Sequence, residues 1–161
     1  MRKYIIIFFS FFVSSLFCQK SNYTVSKERL LKNLKKLSEF GMNKNNGNDR
    51  VAYSDYDVQA RKYIKEYMKN LGLKVKVDYA ANIVARKEGA NKKLKPIAFG
   101  SHIDAVPNGG HYDGPLGVIG GIEALETILD NKIITSHPLE LIIFTNEEGG
   151  VFGSRALAGK L

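Results

Sequence analysis

Apolar residues recur at Leu30, Leu31, Leu34, Leu37 and Phe40 and stop at Gly41. Spacings of three and four predict an amphipathic helix, with Ser26 as its N-cap and the glycine as its stop. A polar Asn- and Gly-rich loop follows over 42–49. The next periodic stretch starts near Ser54 and places Ala60, Tyr63, Ile64, Tyr67, Met68 and Leu71 on one face, ending at Gly72. The period then drops to two. Leu73–Val77 alternates apolar and lysine as a half-exposed strand, and Asn82–Arg86 reads as its partner. Lys87–Lys95 is a basic hairpin or loop, and Pro96–Phe99 reads as a short buried strand. Val118, Ile122, Leu125 and Leu129 share a third helical face, with Gly117, Gly120 and Gly121 at its start to allow close packing. Leu139–Thr145 is almost continuously apolar, as expected of a strand covered on both faces. Alternating strands and helices of this kind predict an α/β fold.

The N-terminus departs from this pattern. Arg2 and Lys3 precede an apolar run from Tyr4 to Val13, broken by Ser10, and then Ser14, Ser15 and Cys18. This is the layout of a signal peptide over residues 1–18, which predicts a secreted or periplasmic protein. The run is shorter than the roughly 20 residues that span a bilayer. Cleavage is therefore favoured over an uncleaved anchor or a lipidated Cys18, and the membrane enters only through this segment. Residues 19–161 remain as one domain, without cysteine.

Charge sharpens the division along the chain. The net charge is +8, but residues 20–95 hold 19 Lys/Arg against 8 Asp/Glu, whereas residues 96–161 hold 3 against 8. The lysines lie along helix faces without the aromatic interleaving of a single-strand groove, so a solvated basic surface is preferred to a nucleic-acid partner. All three histidines fall in the acidic half, at 102, 111 and 137.

Two polar clusters follow the two strands of that half, at the strand ends where α/β sheets place their sites. The first is GSHIDAVPNGGHYDG (100–114) and the second is NEEGG (146–150). In an extended segment His102 and Asp104 point the same way, as a ligand and its orienting carboxylate do. One imidazole with several carboxylates is a ligand set for zinc, manganese or cobalt. Adjacent glutamates diverge, so one can bind metal while the other takes a proton from water. Each piece alone has a blander reading: a histidine satisfied in a turn, an Asp-Gly turn, two solvated acids. Their convergence at the ends of two strands is what outweighs those readings.

GSHIDAVPNGGHYDGPLGVIGGIEAL, FTNEEGG and GSRALAGKL resemble the M20 metallopeptidases, and more narrowly their amidohydrolase branch of N-carbamoyl-amino-acid hydrolases, allantoate amidohydrolases and β-ureidopropionases. The likeness begins earlier, in RLLKNLKKLSEFG, GNDRVAYSDYDVQARKYIKEYMKNLGL and VDYAANIVAR, and so covers most of 28–161. It implies an α/β/α sandwich of the zinc-dependent exopeptidase type and two divalent ions, zinc first and manganese or cobalt as alternatives. It further implies that His102 binds one ion, Asp113 bridges both and Glu148 binds the second. Asp104 would orient His102, and Glu147 would act as general base on a bridging water. Asn82 matches a structural Asn of the pattern.

Two further metal-binding histidines and a smaller lid and dimerisation domain lie downstream of Leu161 in the family pattern. The expectation is therefore the N-terminal portion of a catalytic domain, the sandwich incomplete and the lid absent, from a parent that forms homodimers. The expected reaction is hydrolysis of an amide, ureido or peptide C–N bond in a small-molecule or peptide substrate. An exopeptidase acting on peptides and a non-catalytic remnant are the alternatives. His111 stands where many relatives carry Arg or Lys. It is a candidate for substrate contact, set against the reading of a solvated bystander.

Overall fold

The computed structural model describes residues 23–161. The expected signal segment, 1–18, lies outside them. Four helices and four strands follow in the order α1 (Lys27–Ser38), α2 (Asp55–Asn70), β1 (Lys74–Val77), β2 (Ile83–Lys87), β3 (Ile97–His102), α3 (Pro115–Asp130), β4 (Leu139–Phe144) and α4 (Phe152–Leu157).

Both serine caps form as their positions suggest. Ser26 Oγ accepts from the N–H of Arg29 at 3.1 Å, and Ser54 Oγ from that of Asp57 at 3.3 Å, each satisfying a donor the helix cannot. Gly72 ends the second helix region at φ 80°. The third helix carries Pro115 in its first turn, where the missing N–H costs nothing.

The strands form one sheet in the order β1-β2-β4-β3. β1 and β2 pair antiparallel, as do β2 and β4, whereas β3 runs parallel to β4. The α/β class is as expected, with one open mixed sheet. β3 differs from the sequence reading: it is an edge strand, and Ile97, Ala98 and Gly100 are exposed. Its apolar composition matches a buried strand, but it has one neighbour where β4 has two.

α1, α2 and α3 bury their apolar stripes against a single sheet face made by Ile83, Ala85, Leu139, Leu141 and Ile143. Leu37, Ile64, Met68, Val118, Ile122 and Leu125 are among the side chains that fill this layer. At about 25 cal/mol per Å² of apolar area removed from water, this layer is the main favourable term in the fold. Gly121 permits the close approach of α3, because a Cβ there would lie 2.8 Å from Leu141 and 3.1 Å from the Phe99 ring. The opposite face carries Val84, Arg86, Glu140 and Ile142, with Arg86 paired to Glu140 at 2.8 Å. This one-sided helical layer is the observed part of the expected sandwich. Among the described residues no helix is long and apolar enough to cross a membrane.

Candidate metal and catalytic site

Parallel pairing of β3 with β4 sets His102 opposite Phe144. Both strands therefore end at the same edge of the sheet, and the loops that leave them meet there. Asp104 lies two residues beyond His102, and Glu147 and Glu148 lie three and four beyond Phe144.

Asp104 is the hub. It is 2 % exposed, and its carboxylate accepts from the N–H of Glu147 at 3.3 Å and of Glu148 at 3.1 Å. His102 Nδ1 lies 3.1 Å from the Asp104 carbonyl and 3.6 Å from its Oδ1. Donation from Nδ1 leaves the Nε2 lone pair facing outward, where Glu147 Oε2 stands 3.6 Å away. His102, Glu147 and Glu148 each offer a ligand atom, and these atoms lie within 4.8 Å of one another. Asp113 is exposed on the turn before α3 and falls outside that group, yet its charge acts on Glu148. Gly114, the N-cap of α3, packs against the imidazole so closely that a Cβ would sit 2.5 Å from Cε1 of His102.

The local electrostatics favour a cation. Burial opposes charge on His102, but hydrogen bonding to Asp104 and the nearby Glu147 carboxylate outweigh it, and the imidazole stays above its ordinary pKa. Burial pushes Asp104 up, yet His102 and the two backbone N–H groups win and hold it below the usual carboxylate range. Partial desolvation pushes Glu148 up, and Asp113, Glu147 and Asp104 add to this against the opposing His102. A carboxylate that resists ionising beside other acids, as Glu148 does, is relieved by a bound positive charge.

Asn82 positions the second loop. It is fully buried, its Oδ1 accepts from the N–H of Thr145 at 3.0 Å, and its Nδ2 donates to Asp78 Oδ2 at 2.9 Å and to the Gly153 carbonyl at 3.0 Å. The start of β2 is thereby tied to both sides of the Asn146–Val151 turn. His111 points elsewhere: its Nε2 lies 2.9 Å from the Asn46 carbonyl, and it lines a depression with Leu31, Leu34, Met42 and Tyr112. His137 approaches the Lys95 carbonyl at 2.8 Å, at the opposite end of β4 from the cluster. Beside Asp104 and Glu148 a cleft of about 110 Å³ opens between Val51, Ala52, Ala105, Val106 and Pro107.

Arg50 carries no functional assignment in the sequence reading and is wholly buried under the His102–Asp104 segment. Its local sequence, a polar loop before a helix, gives no sign of burial. Asp57, 3 % exposed at the start of α2, is equally hidden from periodicity.

Residues 98–161 match the model of peptidase family M20/M25/M40. The chain is 40% identical over 142 residues to the N-carbamoyl-L-amino acid amidohydrolase of Geobacillus stearothermophilus, covering 85% of this chain and 35% of that protein. It is also 40% identical over 141 residues to the ureidoglycolate hydrolase of Oryza sativa subsp. japonica, covering 88% and 29%. The chain belongs to the M20 family. The crystal structure of a hydantoinase/carbamoylase family amidase from Burkholderia ambifaria superposes on this M20 chain with a TM-score of 0.85 at 34% identity, over 86% of this chain and 36% of that one. The M20 chain thus spans about a third of the length of the relatives it matches, and those relatives are hydrolases.

Proposed function

We propose that this chain carries metal-binding and catalytic residues of a hydrolase that cleaves the C–N bond of an N-carbamoyl, ureido or related amide compound. The observation that carries the reading is the convergence of His102, Glu147 and Glu148, with ligand atoms within 4.8 Å, at the paired ends of β3 and β4. An imidazole gathered with carboxylates suits divalent ions, zinc first and manganese or cobalt next. His102 would serve one ion and Glu148 a second, with Asp113 shared between them. Such ions supply Lewis acidity, lowering the pKa of water and polarising the scissile carbonyl.

The protein's own groups do the rest. Asp104 holds the His102 imidazole by its Nδ1 side, so Nε2 stays available. Glu147, beside Nε2, accepts a proton from the attacking water and returns it to the departing nitrogen. The apolar cleft beside Glu148 takes the non-reacting part of a small substrate. The names of the amidohydrolase relatives favour the carbamoyl and ureido class over peptides.

The test is metal content and turnover on one preparation. Dialysed protein is expected to retain zinc or manganese, and Glu148→Gln to hold less of it. Glu147→Gln is expected to keep the metal while turnover of an N-carbamoyl-L-amino acid falls about 10²–10⁴-fold. Dialysed protein without a divalent ion, or a Glu147→Gln variant as active as its parent, overturns the proposal. Hydrolysis of dipeptides in place of carbamoyl compounds keeps the site and moves the substrate to the peptide class.

A further inference from the structure

Arg50 lies between α1 and α2, and no part of it reaches solvent. Its Nε donates to the carbonyl of Ile103 at 2.5 Å, and Nη1 donates to the carbonyls of Leu37 and Phe40, at the end of α1, at 2.9 and 2.7 Å. The main chain takes part as well. The Arg50 carbonyl accepts from the N–H of Ala105 at 2.9 Å, and its own N–H donates to Asn48 Oδ1 at 3.0 Å. Arg50 therefore holds Ile103 and Ala105, the two neighbours of Asp104. Asp104 itself is left to His102 and to the N–H groups of Glu147 and Glu148.

This arrangement is expensive as a stabilising device. Nη2 is buried without a hydrogen-bond partner. Burial lowers the guanidinium to about 10, and Asp57 and Asp104 oppose this only through space. A buried cation lacking an ion pair in contact costs more than an apolar chain of the same length. What an apolar chain cannot do is join three carbonyls from two separate elements through one rigid fork. The end of α1 and the metal-loop backbone are joined in that way.

We infer that Arg50 is a positioning residue for the candidate site: it clamps the backbone on both sides of Asp104, so that one carboxylate can orient His102 and receive the Glu147–Glu148 turn. The metal arm of the test below rests on the proposed function, and the exchange arm does not.

Arg50→Met and Arg50→Lys are compared with Met68→Ala, which opens the core where α2 leads into β1, at the opposite end of the sheet. Amide hydrogen exchange is read at Glu147 and Glu148 relative to Ile143 within β4, on metal-free protein. Both Arg50 variants are expected to speed exchange at the two glutamates at least tenfold more than at Ile143, while Met68→Ala speeds all three alike. Zinc titration is expected to show a 10–100-fold weaker affinity in both Arg50 variants. Lysine, a single point donor, recovers only part of it.

Uniform exchange changes in the Arg50 variants overturn the inference, as does full recovery by lysine or an equal loss of zinc affinity in Met68→Ala. Should Arg50→Met fail to fold, the lysine variant decides by the same two readings. If the parent protein takes up no zinc, the proposed function fails, and the exchange pattern still decides the role of Arg50.

Discussion

Replacing Gly114 with alanine probes the join between α3 and the candidate site. Gly114 has φ 81° and ψ −62°, a conformation that costs a residue with a Cβ on the order of 1–3 kcal/mol. The new methyl would also lie 2.5 Å from Cε1, 2.6 Å from Nδ1 and 2.7 Å from Nε2 of His102. Carbon atoms in contact rest about 3.5–4 Å apart, so ring or turn must move by roughly 1 Å. Such overpacking typically adds about 1–3 kcal/mol. Together the two effects predict a loss of about 2–6 kcal/mol, or a fall in Tm on the order of 10 °C for a domain of this size. A displaced imidazole also presents Nε2 wrongly, so zinc affinity should fall by about 10–100-fold. Thermal denaturation of the metal-free protein measures the first effect and zinc titration the second. Gly110→Ala is the control, since its Cβ would meet nothing within 4 Å and its φ is not positive. A Gly114→Ala variant with the parent's Tm and zinc affinity would refute the reasoning, because neither the strain nor the ring contact could then be as described.

Two further predictions concern the frame around the site. Asn82→Ala leaves the buried N–H of Thr145 without its acceptor and removes the donor to Asp78 Oδ2, and urea denaturation should show a loss of about 1–3 kcal/mol. Glu123, 2 % exposed, accepts from Arg29 Nε at 2.6 Å and from the Ser26 N–H at 2.7 Å. Hydrogen bonding to Arg29 chiefly holds it below its ordinary 4.5. Its contribution is therefore complete above that value and is lost as pH falls through the lower folded value. Stability measured from pH 6 down to pH 3 should drop more steeply in the parent than in Glu123→Gln, and parallel curves would count against the pairing.

Much of the scaffold can be read along the chain because the information is local. The spacing of Leu30, Leu34 and Leu37, the serines at 26 and 54 and the glycine at 72 each act within a turn or two of their own helix. The motif residues were legible for a related reason. His102, Asp104, Glu147 and Glu148 have chemistry that ordinary turns do not need, and both groups follow apolar strands.

The remainder depends on neighbours that periodicity does not record. The apolar run of β3 looks like that of a covered strand, yet it occupies the sheet edge, because strand order is decided by which elements pair across more than forty residues. Arg50 shows the same limit from the other side. An arginine in a polar loop has every local mark of exposure, and only the tertiary fold brings carbonyls from the end of α1 and from Ile103 around it. The sequence by itself determined α1 to α3, the four strands and the kinds of side chain available for metal and proton chemistry, since these follow from residue type and spacing. The tertiary structure alone decided that β3 and β4 run parallel and end together. Hydrogen bonding between distant strands sets that register, and it brings His102, Asp104 and the two glutamates to one place.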